Sequence, residues 1–303
     1  MNINRPGIYP DIDPAAYYAD PCATPSLTQS LAKILLERSP LHAWHAHPRL
    51  NPDYRERDGR EAHLDLGTIA HAMLLGRSKT IVVLDYDDWR TKAAQEARKN
   101  AAASGDLAVL AKHHAKAKRM VDAAREQLEL RNLGWLFGEL NGDAECCLAW
   151  KEDGIWLRQL VDWVNAARTI VADYKTTGES AAPEALPRKA VDWGWHIQAA
   201  MAERGLDNLG LSVGRREYLW VVQESTEPYQ LTICSLGEAY LTLGRWQLNN
   251  AIEIWKRCME ANHFPGYPLR VESPELPPWH AGQMFEQQIE RDNGIPSDIL
   301  AAG

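Results

Sequence analysis

The spacing of hydrophobic positions changes near residue 141, which divides the chain into a mainly helical part and a strand-rich part. Before that point, apolar residues recur every three to four positions, which predicts a helix over 26–38 and another over 63–77. Ser39-Pro40 ends the first helix and starts a short second one, because proline is tolerated in the first helical turn. Gly76 is placed to end the helix of 63–77.

Residues 86–131 are rich in Ala, Lys, Glu and Arg, so they predict one or two helices after a short apolar strand at 81–84. Ser104-Gly105-Asp106 predicts a break, with Asp106 capping the next helix. The segment holds 10 Lys and Arg against 7 Asp and Glu, a balance of +3. A solvated helical insertion is the commoner meaning of such a pattern, and a helical arm beside a groove is the alternative.

Beyond residue 141, short runs rich in Val, Ile, Leu and Trp alternate with turn residues, which predicts strands. The expected elements are a strand over 144–151, a hairpin over 154–177 with its turn at 165–168, a helix over 183–206, strands over 217–224 and 229–235, and a helix over 238–262. This order predicts an α/β or α+β domain with a central mixed β-sheet flanked by helices.

The hairpin carries the candidate chemistry, since Asp162, Asp173 and Lys175 interrupt its apolar arms. Side chains alternate between the faces of a strand, so Asp173 and Lys175 point the same way. If Val164 pairs with Thr169, Asp162 lies on that face too, diagonal to Asp173 and roughly 7–8 Å away. Carboxylates gathered there would suit a divalent metal ion, while an exposed, solvated sheet face is the commoner outcome for this spacing alone.

Apolar runs, cysteine spacing and net charge exclude several classes of protein. No apolar run approaches the roughly 20 residues that a bilayer-spanning helix needs, so no membrane contact is expected. The N-terminus lacks a signal-peptide pattern, which predicts a cytoplasmic protein. Five cysteines without a CxxC spacing predict reduced thiols and no zinc or iron–sulfur framework. The net charge is −8, and residues 217–303 contribute −7 of it, so that part is not expected to face a polyanion.

Four short motifs in order resemble the PD-(D/E)XK nuclease superfamily, and within it the RecE-like exonucleases, also called exodeoxyribonuclease VIII, and their phage-type relatives. The matching segments are GTIAH at 67–71, VD at 161–162, DYKTT at 173–177 and WHIQAA at 195–200. The helix of 26–38 with Ser39-Pro40, and HFPGYP at 263–268, extend the resemblance over most of 25–270. A restriction-endonuclease-like core with a helical insertion at about 86–131 is therefore expected.

The resemblance also implies a role for each matching residue. Asp162 and Asp173 would be carboxylate ligands of a metal ion, with the Tyr174 carbonyl as a third ligand. Lys175 would orient or activate the attacking water, or stabilise charge on the phosphate. His71 would approach from its helix as a further metal ligand or second-site residue.

Gln198 matches the glutamine of the motif that follows the core lysine, as a DNA-binding residue. The family often has a tyrosine four positions later, whereas this chain has Ala202, so the role of that motif stays open. Glu145 on the preceding strand is a possible extra acidic member of the site. Arg158, on the opposite strand, could equally neutralise that carboxylate.

These roles imply a Mg²⁺-dependent exodeoxyribonuclease, because hard oxygen ligands suit Mg²⁺, and a histidine ligand makes Mn²⁺ a workable substitute. By resemblance, the enzyme would degrade double-stranded DNA from its ends, 5′ to 3′, and leave a 3′ single-stranded tail for recombination. A ring-shaped homo-tetramer and a RecT-like single-strand annealing protein are the implied partners.

Two other functions remain open. A RecB-type or CRISPR-adaptation-type nuclease shares the motifs, although several such enzymes carry a four-cysteine iron–sulfur cluster that this sequence lacks. A catalytically inert nuclease-fold DNA-binding protein is the other, and the intact Asp162, Asp173 and Lys175 argue against it. The expected organisation is an irregular segment at 1–25, the nuclease domain at 26–270 and a C-terminal arm at 271–303.

Overall fold

A seven-stranded mixed β-sheet with helices on both faces organises the protein. The computed structural model describes residues 2–10, 12–54, 66–76, 80–211, 214–278, 280, 282, 285 and 286. Residues Met1–Gly266 form one unit and Tyr267–Gly303 form a second. The strands are β1 (Gly7–Tyr9), β2 (Ser26–Leu27), β3 (Ile81–Leu84), β4 (Leu107–Leu110), β5 (Gly142–Glu152), β6 (Ile155–Asn165), β7 (Ile170–Thr177), β8 (Glu217–Glu224) and β9 (Leu231–Ser235).

The helices of the first unit are α1 (Pro14–Tyr18), α2 (Gln29–Glu37), α3 (Pro40–Ala46), α4 (Leu66–Leu75), α5 (Lys92–Ala103), α6 (Ala111–Glu129), α7 (Leu186–Asp192), α8 (Trp195–Asn208) and α9 (Glu238–Ala261), with a short 3₁₀ turn at Pro183–Ala185. Thr28 caps α2 and Ser39 caps α3, each accepting a backbone N–H with its hydroxyl. The predicted helix of 26–38, the short helix after it and the long helix of 238–262 are confirmed.

The sheet runs in the order β1-β5-β6-β7-β8-β9, with β2 beside β6. Neighbours along this path are antiparallel except β7 and β8, which are parallel, and β2 is parallel to β6. The predicted central mixed sheet flanked by helices is therefore confirmed.

The two halves of the sheet share only a short seam between β6 and β7. β6 pairs with β5 from end to end, and β7 pairs with β8 from end to end. Between β6 and β7, however, the register contains only Trp163 opposite Ala172 and Val164 opposite Val171. Beyond this seam the two strands diverge, and the sheet forks. We call the opening between them the fork.

The predicted pairing of Val164 with Thr169 is wrong by two residues, because the side chain of Asn165 closes the turn. Its Oδ1 accepts the backbone N–H groups of Thr169 and Ile170, at 2.8 and 3.0 Å. These two residues are held by a side chain instead of by β6, so backbone pairing starts later. The turn itself lies where the sequence predicts it.

The N-terminal segment fills the part of the fork that is farther from the seam. The expectation that 1–25 is irregular is wrong for β1 and α1. β1 adds to the outer edge of β5, and β2 pairs with Trp156 and Leu157 of β6 on the side that β7 has left. Between these two strands, α1 brings Tyr17 against β6, where its hydroxyl oxygen accepts the Leu160 N–H at 3.0 Å. Backbone groups that β7 leaves unpaired are satisfied in this way.

A buried polar cluster around Asp20 fixes the segment in place. The carboxylate accepts a hydrogen bond from the Arg158 guanidinium at 2.9 Å and from the Ser26 hydroxyl at 2.7 Å. His47 Nε2 lies 3.2 Å from the other carboxylate oxygen. His47 Nδ1 accepts the N–H groups of Arg49 and Leu50, which leaves Nε2 as the ring nitrogen that faces Asp20.

Hydrophobic clusters attach the helices to the two faces of the sheet. On one face α2, α8 and α9 pack, and the Trp195 ring of α8 stacks on Trp220 of β8, with centroids 5.5 Å apart and planes 9° from parallel. On the other face α4 and α6 pack against the side of the sheet that carries Trp163 and Tyr174. The prediction that Trp195 packs on the sheet is confirmed.

Two of the predicted helices are interrupted. In the 86–131 insertion, Leu107–Leu110 is a strand that pairs in parallel with β3, so Asp106 does not cap the following helix. An apolar run of four residues does not distinguish strand from helix, and the β3 edge decides here. The predicted helix of 183–206 breaks at Gly194, whose φ of +72° is readily adopted by glycine.

Some predicted features lie partly outside the described residues, namely the polar loop of 48–62 from residue 55 onward and the C-terminal arm from residue 287 onward. In the second unit, residues 267–277 have no regular secondary structure, and Leu269 and Val271 are exposed. Among the helices that the structure describes, none combines the length and apolar character needed to cross a membrane.

Asp20→Asn should destabilise the first unit by about 3–5 kcal/mol, because it leaves the Arg158 guanidinium buried without a counter-charge. Urea unfolding followed by tryptophan fluorescence measures this change in free energy. Glu37→Gln is the matched control, since the Lys33–Glu37 pair is exposed on α2 and should contribute less than about 1 kcal/mol. Equal effects of the two substitutions would contradict the assigned role of Asp20.

Candidate metal and catalytic site

The fork brings the two aspartates of the hairpin together. Continuing the seam by one pair places Asp162 of β6 opposite Asp173 of β7. At that point the Asp162 carboxylate, and no longer the β6 backbone, accepts the N–H of Tyr174 at 2.9 Å. In a strand the N–H and C=O of one residue point to the same side, so the Tyr174 carbonyl also faces the fork. The predicted ligand atoms of these three residues thus border one space.

Lys175 and Gln198 hold the Asp173 carboxylate from two sides. The Lys175 ammonium forms an ion pair with Asp173 Oδ1, and Gln198 donates its side-chain N–H to Oδ2. Gln198 reaches this position because it lies one turn after Trp195, and Asp173 is the strand neighbour of Trp220. The stack of Trp195 on Trp220 therefore positions α8 so that Gln198 reaches Asp173.

His71 comes from the opposite face of the sheet, on α4. Its Nε2 lies 3.1 Å from Asp162 Oδ2, and its Nδ1 lies 3.6 Å from Glu145 Oε1. The ring centroid is 6.3 Å from that of Tyr174. His71 thus bridges the carboxylates of two neighbouring strands, and it connects Glu145 to the site.

Glu145 has a backbone conformation that is rare for its residue type. Its φ is +49°, within strand β5, although a non-glycine residue normally pays about 1–3 kcal/mol to adopt such a conformation. The β5–β6 register continues on both sides of it, with Ala144 opposite Trp163 and Cys146 opposite Val161. Arg158, which could have neutralised this carboxylate, instead lies opposite Ala149 and pairs with Asp20.

The pKa values of the two aspartates shift in opposite directions. Burial raises the pKa of Asp173 to about 6, and the nearby Asp162 carboxylate adds to the shift, while Lys175 and Gln198 oppose it. Burial also acts to raise the pKa of Asp162, but His71, Lys175 and the Tyr174 N–H outweigh burial and hold it below its usual value. Burial and Asp162 raise the pKa of Glu145 against the effect of His71. The site thus holds three carboxylates close together, and Lys175 and His71 are the basic side chains that face them.

The carboxylates also shift the pKa values of His71 and Lys175. Burial acts to lower the pKa of His71, yet Asp162, Glu145 and Asp173 together raise it. Burial likewise acts to lower the pKa of Lys175, and Asp173 and Asp162 outweigh burial and raise it. Lys175 is therefore a firmly charged ammonium at neutral pH, next to the carboxylates.

The donor chemistry fits a hard divalent cation. Three carboxylates, one imidazole and one carbonyl oxygen border the fork, and Mg²⁺ requires only one or two carboxylates because it keeps several waters. Within the part of the chain that the structure describes, no three His, Cys, Asp or Glu side chains already form a cage around one point. Lys175 and His71 engage the carboxylates that a cation would neutralise.

The structure brings together every residue that the sequence singled out: Asp162, Asp173, Tyr174, Lys175, His71, Gln198 and Glu145. Ala202, which replaces the tyrosine common in the family, borders a small cavity beside Gln198 and Asp173. The residue that sequence reasoning did not single out is Tyr18, whose ring meets that of Tyr17 edge-on beside β6. Its signal was weak, since it lies in a segment predicted to be irregular.

Comparison with known proteins supports the fold. No family model matches the chain, and no curated protein matches it either. A crystal structure of a protein from Eubacterium rectale, described as a "Putative exonuclease", is similar with a TM-score of 0.52 and 10% sequence identity. The alignment covers 83% of this chain and 91% of that protein. At this identity the likeness concerns the fold, and the chain shares a mixed α/β architecture with that protein.

Proposed function

We propose that this protein is a metal-dependent DNA exonuclease of the PD-(D/E)XK type, similar to the RecE-like enzymes. The observation that carries the proposal is the convergence of Asp162, Asp173 and Lys175 at the fork, with His71 arriving from the opposite face. The likeness in fold to a protein described as an exonuclease supports the same class of reaction.

The reaction is hydrolysis of a phosphodiester bond. The oxygen of a water molecule forms a bond to phosphorus, the bond from phosphorus to the leaving oxygen breaks, and the leaving oxygen takes up a proton. Lys175 supplies a positive charge close to where negative charge builds up on the phosphate. Gln198 fixes the orientation of Asp173, and the Tyr174 N–H fixes that of Asp162, so both carboxylates are held before substrate arrives.

Asp162, Asp173 and the Tyr174 carbonyl would hold Mg²⁺, or Mn²⁺ in its place, with His71 as a further ligand. When bound, such an ion screens the charge of the phosphate and lowers the pKa of a coordinated water. Burial, followed by the neighbouring Asp162 carboxylate, raises the pKa of Asp173 and of Glu145. A bound cation would favour the charged form of these carboxylates, which supports the assignment.

Double-stranded DNA ends are the proposed substrate. Helix α6, part of the basic 86–131 segment, packs against α4, so positive charge lies beside the helix that carries His71. Degradation from 5′ to 3′, a RecT-like annealing partner and a ring-shaped homo-tetramer complete the proposal on the resemblance to RecE-like enzymes.

Linear duplex DNA should be digested only with Mg²⁺ or Mn²⁺, and EDTA should stop the reaction. Electrophoresis of linear, nicked-circular and closed-circular DNA of one sequence measures the outcome. Closed circles should survive, because an exonuclease needs an end. Cutting of closed circles would indicate an endonuclease, and DNA-end binding without cleavage in any divalent metal would favour the inert DNA-binding protein.

Lys175→Met should lower kcat by about 10²–10³-fold, since it removes a charge that stabilises the transition state. Asp173→Asn should abolish measurable digestion while DNA binding persists. Fluorescence anisotropy of a labelled duplex measures binding, and release of labelled nucleotides measures digestion. Lys151→Met, an exposed lysine on β5, is the control and should leave both unchanged. Undiminished digestion by either site variant would overturn the assignment.

Glu145→Gln should raise the Mg²⁺ concentration needed for half-maximal activity by about 10–100-fold, as loss of a residue that orients a metal ligand does. Glu145 contacts His71 and so keeps that imidazole aimed at Asp162. Titrating Mg²⁺ against the digestion rate separates this effect from a loss at saturating metal. A fall in maximal rate with an unchanged metal dependence would mean that Glu145 does not act through the metal ligands.

A further inference from the structure

A wide groove lies beside the fork and is not used by the residues described so far. Its volume is about 800 Å³, within the range of ligand-binding sites. Its floor includes Arg158 of β6, four residues before Asp162 and therefore roughly 13 Å away along the strand, at about 3.3 Å per residue. Its walls come from α1, α2, α3 and the residues up to 54. The groove thus begins a short distance from the carboxylates.

Two kinds of side chain line the groove. Tyr18 and Tyr54 present aromatic surface and are 42% and 36% exposed. Arg38 provides positive charge, His42, His45 and the Ser30 hydroxyl provide polar groups, and Asp53 is the one carboxylate among the described lining residues. Aromatic faces next to cationic donors are the combination that binds unpaired nucleotides, whose bases stack while their phosphates attract cations.

Tyr18 is positioned by contacts that lead back to β6. Its ring meets that of Tyr17 edge-on, with centroids 5.4 Å apart and planes at 78°. Tyr17 is itself fixed by the Leu160 N–H and by the Arg158 guanidinium, which lies 5.0 Å from its ring centroid. The buried Asp20 cluster holds Arg158 in turn. An aromatic side chain fixed before binding loses little entropy when a base stacks on it.

The preceding residue links Tyr18 to the reaction site. Tyr17 accepts the backbone N–H of Leu160, which lies two residues before Asp162 on β6. A strand whose phosphate lies at Lys175 would therefore pass Tyr18 as it enters the groove.

We propose that the groove binds unpaired nucleotides of the DNA strand that is being cut, and that Tyr18 stacks on the base next to the scissile phosphate. This proposal rests on the proposed nuclease function. Arg38 attracts the phosphates farther along the groove, where His42 and His45 also lie. Because a paired base cannot reach Tyr18 with its face, binding requires the end of the duplex to open. The N-terminal segment thereby selects a frayed or single-stranded end over internal duplex.

If Tyr18 stacks on one base, removing Tyr18 and removing that base should weaken binding equally. Removing both should weaken binding no further than removing either one. We would measure dissociation constants in the Lys175→Ala background with Mg²⁺, using a labelled duplex that has three unpaired nucleotides at one end. Tyr18→Ala should weaken binding by about 5- to 150-fold, the range expected for one lost base–aromatic stack. Tyr18→Phe should retain affinity, because the aromatic face remains.

The duplex is then given an abasic position at each unpaired nucleotide in turn, on either strand. At one position the abasic change should weaken binding to the Tyr18 protein as much as Tyr18→Ala does, and should cost the Tyr18→Ala protein nothing more. Trp246→Ala on α9, which removes an aromatic side chain that is 61% exposed, is the matched control and should leave affinity unchanged. Thermal unfolding checks that each variant is folded.

The outcomes separate this proposal from the nuclease function. If Tyr18→Ala binds as tightly as its parent, or if the two losses add at every position, the stacking role is overturned while digestion by the wild-type protein stands. If the wild-type protein neither binds nor digests DNA, both proposals are overturned. A coupled loss at a single position supports the stacking role.

Discussion

The separation of β6 from β7 after two backbone pairs is the constraint on which the rest of the molecule depends. A sheet that continued past this seam would bury its backbone groups in regular pairs and leave no room for a ligand. At the fork, the Asp162 carboxylate takes the place of a backbone acceptor for Tyr174. The same divergence that costs hydrogen bonds thus exposes acidic side chains and one carbonyl on the edges of two strands.

The fork leaves backbone groups of β6 without partners on β7, and the N-terminal segment supplies partners for them. Strand β2, the Tyr17 hydroxyl and the Asp20 cluster occupy the side of β6 that β7 has left. The compensation is polar and buried, so its members depend on one another, and removal of one leaves the others unpaired. The segment also shapes the groove beside the site, which couples the stability of the fold to the surface offered to a substrate.

Charge balance at the fork requires elements from both faces of the sheet. His71 arrives on α4 from one face and Gln198 on α8 from the other, while Asp173 and Lys175 come from the strand between them. Each helix is fixed by apolar packing away from the site, α8 by the Trp195–Trp220 stack and α4 by its contact with α6. Rigid helices that position polar groups give a site whose geometry exists before a ligand binds.

The sequence by itself predicted the strands from residue 142 onward and the long final helix, and it named residues that the structure brings together, because strand alternation and short motifs are local signals. It could not determine the register of the hairpin, since the Asn165 side chain closes the turn, nor the strand at 107–110, which depends on β3. How Glu145 joins the site and where Tyr18 lies came only from tertiary structure. Glu145 contacts His71, which is 74 residues away. Tyr18 lies in a segment without periodicity, next to Tyr17, which binds β6. Such contacts depend on how distant elements pack, and no local pattern of residues records that packing.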